Sequence, residues 1–257
     1  MTLADDKTKP SPAASSADAK PSAKVLIATF AFNEGQKIQT TVERIVAASP
    51  HDVLVMDDGS TDGSIEPLRK FNAKIVSNPR NEGIGSAMKA AFQLALDGGY
   101  DVMVIMAGNN KDDPNEIPRL LAPLLENRAD FVQGSRYLKG GAHGQMPVYR
   151  RLATRLHPLL FSIAARKWVT ESTNGFRAFR TSLLRDPRID WRQPWLDKYE
   201  LEPYLLYKTI TLGYRHDEVP VTKIYPPRKL GYTKMKPFSG WWSILRPIFY
   251  LALGVKK

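Results

Sequence analysis

The sequence predicts an open α/β fold in which helices flank a mostly parallel sheet. Short apolar runs alternate with segments of helical period over residues 24–133, which is the pattern of successive β-α crossovers. Two carboxylates, Asp57 and Asp58, follow the apolar run Val53–Met56, and Gly59 then permits a sharp turn. Because ligands of such sheets bind where strands end and helices begin, we expect a binding site at this edge.

The same patterns predict the elements in order. The strands are short apolar runs: Lys24–Phe30, Val53–Met56, Ala73–Ser77, Val102–Met106 and Asp130–Gln133. The helices are one that ends near Ala48, followed by Ile65–Phe71, Asn81–Leu96, Pro114–Leu125, Tyr149–Arg166 and Tyr199–Leu212. The remaining segments are a glycine-rich loop, a turn with a short strand, an edge strand and a basic loop, at Gly134–Val148, Thr173–Phe179, Tyr214–Tyr225 and Arg228–Lys236.

The chain of 257 residues is long enough for one α/β domain with an appendage. Residues 1–23, rich in Ala, Ser, Pro and Lys, are expected to form a disordered tail without a secretory leader. Residues 24–236 form the predicted domain, and residues 237–257 form a C-terminal amphipathic segment. The absence of cysteine excludes disulfides and thiolate metal sites.

A formal net charge of +11 predicts an anionic partner, either nucleic acid, an anionic membrane or a phosphate-bearing substrate. The Lys and Arg residues are scattered and form no known nucleic-acid motif, so we do not expect nucleic acid. No apolar run reaches the roughly 20 residues that a membrane-spanning helix needs. The sequence gives no indication of the oligomeric state.

Several motifs together identify a family. ATFAFNEG at Ala28–Gly35, MDDGSTDGS at Met56–Ser64 and NEGIGSAMKAAF at Asn81–Phe92 resemble the nucleotide-sugar domain of family 2 (GT-A) glycosyltransferases. The downstream motifs resemble the polyprenyl-phosphate branch, whose type member is dolichyl-phosphate mannosyltransferase. They are GSRYLKGG at Gly134–Gly141, TNGFRAF at Thr173–Phe179, EVP at Glu218–Pro220 and RKLGYTKM at Arg228–Met235.

The resemblance implies a Rossmann-like GT-A fold with membrane-associating helices at the C-terminus. It implies inverting transfer of a hexosyl unit from a nucleotide-diphosphate sugar, GDP-mannose or UDP-hexose, to a polyprenyl phosphate, either dolichyl or undecaprenyl phosphate. The enzyme would lie peripherally on the cytoplasmic face of a membrane. The implied nucleotide-sugar contacts are Phe30, Asn33, Glu34, Asp57, Asp58, Gly83, Gly85, Gly108 and Asn109.

Some of these residues have a second interpretation. Glu34 is equally typical of an acid in the first turn of a helix. Gly83 and Gly85 either let the backbone approach the donor or simply permit the helix to start. They are not part of a dinucleotide fingerprint, since Met88 stands where the third glycine belongs.

The sequence departs from the family at MAGNNKDDP, Met106–Pro114. Relatives usually carry Asp-x-Asp here to hold a divalent cation on the donor diphosphate, whereas this chain has Ala107 and Asn109. The predicted ligands of Mg²⁺ or Mn²⁺ are therefore Asn109 and Asp112, assisted by phosphate oxygens and water. The alternative is that cations of the protein replace the metal.

Four cations are the predicted catalytic groups because the implied acceptor is itself a phosphate: Arg136, Arg177, Arg228 and Lys234. A lipid phosphate is anionic at neutral pH, so its attack needs no strong general base. The alternative for these cations is a solvated surface. Glu171 either orients one of the arginines or lies at the surface.

Two apolar stretches with flanking cations, Leu159–Trp168 and Trp241–Leu253, predict contact with a membrane interface. Core packing is an equally good interpretation of the first. Two further functions stay open. A saccharide acceptor would need a base among Asp112, Asp113 and Glu171, and loss of Asp-x-Asp is also typical of a nucleotide-sugar-binding pseudoenzyme.

Overall fold

The computed structural model of the protein describes residues 23–225 and 239–256. The first part of the chain alternates strands and helices because its apolar runs are buried and each helix buries one face. Its elements are β1 Val25–Ala31, α1 Gln36–Ala48, β2 Asp52–Asp57, β3 Lys74–Ser77, α2 Ile84–Asp97, β4 Val102–Ala107, α3 Ile117–Leu125 and β5 Phe131–Ser135.

The later part contains longer connections and more helix. Its elements are α4 Val148–Ala165, β6 Arg177–Arg180, α5 Leu201–Thr211, β7 His216–Pro220 and α6 Ser239–Ala252. Within the described ranges, no helix has both the length and the apolar character that crossing a bilayer demands.

The seven strands described form one sheet in the order β3-β2-β1-β4-β6-β5-β7. Neighbouring strands are parallel except at β6, which runs antiparallel to both β4 and β5. The register pairs Phe30 of β1 with Met56 of β2 and with Ala107 of β4, so these strands end at the same level. The predicted mostly parallel sheet is confirmed, and the loops after β1, β2 and β4 meet at one edge.

Both faces of the sheet are covered, so its central strands are buried along nearly their whole length. On one face, Phe92 of α2 meets Phe179 and Trp191 edge-on, with ring centroids 5.6 Å apart in each pair. On the other face, α3 buries Leu120, Leu121 and Leu124 against β4, β5 and β6. This two-sided packing fixes the backbone of the edge on which the cavity lies.

Two predicted helices differ in the structure. Glu66–Lys70 forms a 3₁₀ turn rather than an α-helix, and a proline at its start replaces a backbone donor. The next helix begins at Ile84 rather than at Asn81, because Gly83 has a φ of 109°, which is outside the helical region.

The predicted edge strand is shorter than expected and ends at Pro220. Beyond it the chain pairs through single bridges, Thr222 with Ala142 and Lys223 with Asp112. The segment after β7 therefore no longer pairs with β5, but with the loops that follow β5 and β4. These bridges bring the segment after β7 to the same edge of the sheet as β4.

Some predictions concern residues outside the described ranges. They are the disordered tail, apart from residue 23, and the basic loop at 228–236 with Arg228 and Lys234. The division into residues 1–23, 24–236 and 237–257 stays a prediction.

Candidate active site

A cavity of about 1020 Å³ opens at the C-terminal edge of the sheet. It is lined by the ends of β1 and β4, the loops after β2, and parts of α4, α5 and α6. The predicted site residues that line it are Phe30, Glu34, Asp58, Gly83, Gly108, Asn109 and Arg136. Those that do not are Asn33, Asp57, Gly85, Asp112 and Arg177.

Asp57 and Asp58, at the end of β2, have different surroundings. The carboxylate of Asp58 accepts hydrogen bonds from the backbone N–H groups of Glu82 and Gly83, each at 2.9 Å. The carboxylate of Asp57 accepts a bond from the N–H of Ser60 at 2.9 Å and takes no part in the cavity lining. Asp58 therefore anchors the loop before α2 at the cavity, whereas Asp57 shapes the turn after β2.

Asn33 joins the loop after β1 to the loop after β2. Its side-chain oxygen accepts a hydrogen bond from the N–H of Thr61 at 2.7 Å, and its own N–H donates to the Ser60 hydroxyl at 2.9 Å. Glu34 lines the cavity and forms an ion pair with Lys37 at 2.8 Å. Asn33 thus fixes two cavity loops, while both interpretations of Glu34 stand.

Gly83 and Gly85 are required by a close approach within the chain itself. A Cβ on Gly85 would lie 2.0 Å from the carbonyl oxygen of Leu196, and one on Gly83 would lie 2.4 Å from that of Asp197. Because both neighbours are backbone atoms, neither can move aside cheaply. Of the two glycines, only Gly83 is among the residues that line the cavity. That their backbone lies against the sugar donor, as the sequence suggested, stays a prediction.

Gly108 and Asn109 directly follow β4. The N–H of Gly108 donates to the carbonyl of Phe30 at 3.1 Å, and a Cβ there would lie 2.4 Å from the same oxygen. Asn109 lines the cavity, and its buried Oδ1 has no hydrogen-bond partner among the described residues. A buried acceptor without a partner is costly, so this oxygen is a candidate contact for a ligand.

The residues predicted to hold a metal do not assemble a metal site. Asp112 is buried, with one carboxylate oxygen 2.7 Å from the ammonium of Lys223 and the other accepting from the N–H of Ala107 at 3.4 Å. Ala107 has no ligating side-chain atom. Within the described ranges, no group of three or more His, Cys, Asp or Glu is placed to hold a metal ion. The neutral oxygen of Asn109 can ligate a hard divalent cation, but by itself it binds one only weakly.

Cations that sequence reasoning missed surround this end of the cavity. The cavity lining includes Lys37, Lys111, Arg150 and Lys223. Burial, followed by the charges of Arg150, Lys223 and Lys37, lowers the pKa of Lys111 to about 7. Lys111 lies two positions after Asn109, within the altered motif, which is the one sequence signal that points to this group. Arg150 and Lys223 come from α4 and from the segment after β7, which no local pattern connects to β4.

Arg136 lies on the cavity wall in a buried ion pair. Its Nε donates to the carboxylate of Glu171 at 2.6 Å, and its NH1 donates to the hydroxyl of Tyr225 at 3.2 Å. Burial is the largest single influence and lowers the pKa of Arg136, but Glu171, Tyr225 and Tyr137 together raise this pKa above its usual value. Of the two interpretations of Glu171, the one in which it orients an arginine is therefore confirmed.

Arg177 is fully enclosed in the protein and does not reach the cavity. Its guanidinium donates to the backbone carbonyl of Asn174 at 2.6 Å and lies 3.1 Å from the carboxylate of Glu202. Glu202 does line the cavity. The position of Arg177 thus favours holding Glu202 and the β6 turn over contacting a phosphate, which corrects the sequence-based interpretation.

The comparison with known proteins identifies the family. The family described as Glycosyl transferase family 2 matches residues 26–186, which hold β1 to β6 and most of the cavity loops. The chain belongs to this family. It is a glycosyltransferase with a GT-A-like fold, as its motifs predicted.

Several relatives of this glycosyltransferase carry names from one branch. Undecaprenyl-phosphate mannosyltransferase of Micrococcus luteus is 32% identical over 218 residues, which cover 82% of this chain and 87% of that protein. Polyprenol monophosphomannose synthase of Mycolicibacterium smegmatis is 29% identical, with 85% and 83% covered. Dolichyl-phosphate hexose transferase of Haloferax volcanii is 31% identical, with 86% and 91% covered. The predicted resemblance to the polyprenyl-phosphate branch is confirmed.

A solved structure supports the fold of this glycosyltransferase. Glucosyl-3-phosphoglycerate synthase from Mycobacterium tuberculosis, solved with Mn²⁺, UDP and phosphoglyceric acid, matches with a TM-score of 0.66 and 19% identity. The match covers 90% of this chain and 78% of that chain. At this level of identity the likeness establishes the fold alone.

Proposed function

We propose that this glycosyltransferase moves a hexosyl unit from a nucleotide-diphosphate sugar to a polyprenyl phosphate, with inversion, at a membrane surface. The observation that carries the proposal is the composition of one cavity, which joins Asp58 and Asn109 at the sheet edge to the buried cations Lys111, Arg136 and Lys223. The names of the similar proteins support the acceptor class. GDP-mannose and UDP-hexoses are both candidate donors.

The donor would lie along the ends of β1, β2 and β4. Asp58 presents a carboxylate at this edge, where a ribose or base offers hydrogen-bond donors. Phe30, Glu34 and Gly83 line the same part of the cavity, and Gly108 keeps the floor free of side-chain atoms. The unpartnered Oδ1 of Asn109 is available to accept a bond from a sugar hydroxyl.

The acceptor phosphate would be held by Arg136, together with Arg228 and Lys234 from the basic loop. One of its oxygens attacks the anomeric carbon as the bond from that carbon to the diphosphate oxygen breaks. The electron pair of the broken bond leaves with the nucleoside diphosphate, so inversion follows from a single in-line displacement. The attacking oxygen is already anionic, and the cations serve to bring two anions together.

The membrane would be met by α4 and α6. On α4 the side chains of Leu152, Leu156 and Ile163 are 70%, 50% and 69% exposed, although they form the apolar stripe of the helix. On α6, Trp242 and Phe249 are also exposed. Arginines at 151 and 155 flank the α4 stripe and suit anionic lipid headgroups. The cytoplasmic face follows from the family resemblance and is part of the proposal.

Mg²⁺ or Mn²⁺ was the predicted cofactor, and a structural neighbour was solved with Mn²⁺ and UDP. The residues of this chain do not fit such an ion, because Asp112 is paired with Lys223 and Ala107 replaces a carboxylate. We therefore assign no step of the proposed reaction to a metal.

The purified full chain should be incubated with labelled GDP-mannose and UDP-hexoses and with undecaprenyl or dolichyl phosphate. We expect label to enter the lipid fraction with one donor, with inverted configuration at the anomeric carbon. Transfer to a saccharide alone, or tight nucleotide binding without transfer to any acceptor, would overturn the proposal.

A further inference from the structure

Lys111 occupies the part of the cavity where relatives of this branch would hold a cation. It follows Asn109 in the loop after β4, whose start is fixed to β1 by the bond from the Gly108 N–H to the Phe30 carbonyl at 3.1 Å. The residue is only 5% exposed, yet it lines the cavity together with Asp58 and Asn109. Its ammonium lies over the ring of Tyr225, 5.2 Å from the ring centroid.

Both carboxylates of this loop, Asp112 and Asp113, are already paired with a cation, and Asp113 lies 3.0 Å from the guanidinium of Arg44. Asp112 keeps its side chain inside the protein and pairs with Lys223 at 2.7 Å. Lys223 also donates to the side-chain oxygen of Asn174 at 2.9 Å, so its ammonium is fixed at the cavity wall. The pair delivers a positioned cation to the cavity and withdraws the acid from it.

The charges around Lys111 are mainly of its own sign. The charged groups that act on it most are the cations Arg150, Lys223 and Lys37, and the carboxylate of Glu34 acts in the opposite sense more weakly. Buried cations grouped in this way repel one another, and their mutual repulsion is relieved when an anion of high charge enters. A diphosphate group is such an anion, and an ammonium supplies three donors to its oxygens.

We infer that Lys111, supported by the Asp112-anchored Lys223, binds and neutralises the diphosphate of the donor in place of a divalent cation. This inference rests on the proposed function for the identity of its ligand. As the bond to the anomeric carbon breaks, the electron pair stays on the diphosphate oxygen, and Lys111 stabilises the charge that develops there. The altered motif thus exchanges two metal-binding carboxylates for a lysine four positions after the first.

The test is calorimetric binding of GDP, UDP and inorganic diphosphate to the full chain, first in EDTA and then with Mg²⁺ or Mn²⁺. We expect a diphosphate to bind in EDTA and metal to change its affinity little. Lys111→Met should weaken that binding about tenfold or more, since a charge-assisted bond is lost. Lys111→Gln should weaken it similarly, because a neutral amide keeps hydrogen-bond donors but lacks the positive charge.

The matched control is Lys74→Met, because Lys74 is an exposed lysine on β3 and does not line the cavity. This variant should bind diphosphate as tightly as the unmodified chain does. Removing a cation from a group of cations should not lower the free energy of unfolding, which thermal unfolding of Lys111→Met checks. Binding that requires added metal, binding unchanged by Lys111→Met, or no diphosphate binding in any condition would overturn the inference. Diphosphate binding that depends on Lys111, without sugar transfer to any lipid, would contradict the proposed function but not this inference.

Discussion

In the ion pair of Arg136 and Glu171, the carboxylate of Glu171 both stabilises the fold and positions an arginine that lines the cavity. Both side chains are nearly inaccessible, at 3% and 0% exposure, and their atoms are 2.6 Å apart. Glu171 also accepts bonds from the N–H groups of Ser172 and Thr173 at 3.1 and 2.8 Å. The carboxylate therefore fixes the loop before β6 and keeps the arginine aligned and charged.

Glu171→Gln should destabilise the protein by about 3 kcal/mol, because it leaves the buried guanidinium of Arg136 without a counter-charge. Urea unfolding measures this change. The control is Glu126→Gln, which removes an exposed pair with Arg128 of 2.7 Å and should cost less than about 1 kcal/mol. Equal losses in the two variants would contradict the role of Glu171.

Helix α4 has a different task from the helices that cover the sheet. It buries His157 and Phe161, and His157 shares hydrogen bonds with Ser172 at 2.7 Å and with the carbonyl of Ile244 on α6 at 3.2 Å. Its leucine stripe faces away from this contact. A helix that buries a histidine and exposes apolar side chains such as Leu152 and Ile163 is typical of a helix that binds a membrane or another apolar surface.

Leu152→Glu combined with Ile163→Glu should weaken binding to anionic vesicles by more than about tenfold, because two inserted apolar side chains are lost. Co-sedimentation with vesicles measures the change. Both residues are exposed, at 70% and 69%, so the fold should persist. Leu125→Glu, on α3 and 53% exposed, is the control and should bind as the unmodified chain does. Identical vesicle binding by all three proteins would rule out α4 as a membrane contact.

The parts of the chain meet at the cavity through contacts between distant segments. α6 lines one side of it with Ser243, Ile244 and Leu245, and packs against α4 and α5. Its firmest polar link is an ion pair of 2.5 Å between Arg246 and Glu200, whose side chain is fully buried. Helix α6 thus lines the same cavity as the ends of β1 and β4.

Arg246→Met should loosen α6 without unfolding the sheet, since breaking a buried pair costs about 3 kcal/mol and α6 is a peripheral unit. Hydrogen exchange should become about tenfold faster or more in α6 and remain unchanged in β1 and β4. Arg69→Met, which removes a pair of 2.8 Å between side chains 73% and 76% exposed, should alter neither region. Uniformly faster exchange in all strands would contradict a local role for α6.

Local patterns were sufficient for much of the fold. The apolar runs specified all strands of the parallel half, and the ends of β1, β2 and β4 fall where Phe30, Asp58 and Asn109 were expected to meet. Such features are encoded by residues close in sequence, because strand and helix periods are local properties. The antiparallel direction of β6 has no comparable local signal.

The sequence by itself determined the family, the sheet edge and the carboxylate and arginine that line it, since each depends on a short motif. Only the tertiary structure decided that Asp57 and Arg177 do not line the cavity and that Lys223 engages Asp112. It also decided that Leu152 and Ile163 of α4 are exposed, while Leu160 packs against the core. The reason is physical: a charged side chain takes its role from the partner that compensates its burial. Lys223 and Asp112 are 111 positions apart in the chain, and packing on the sheet is what brings such partners together.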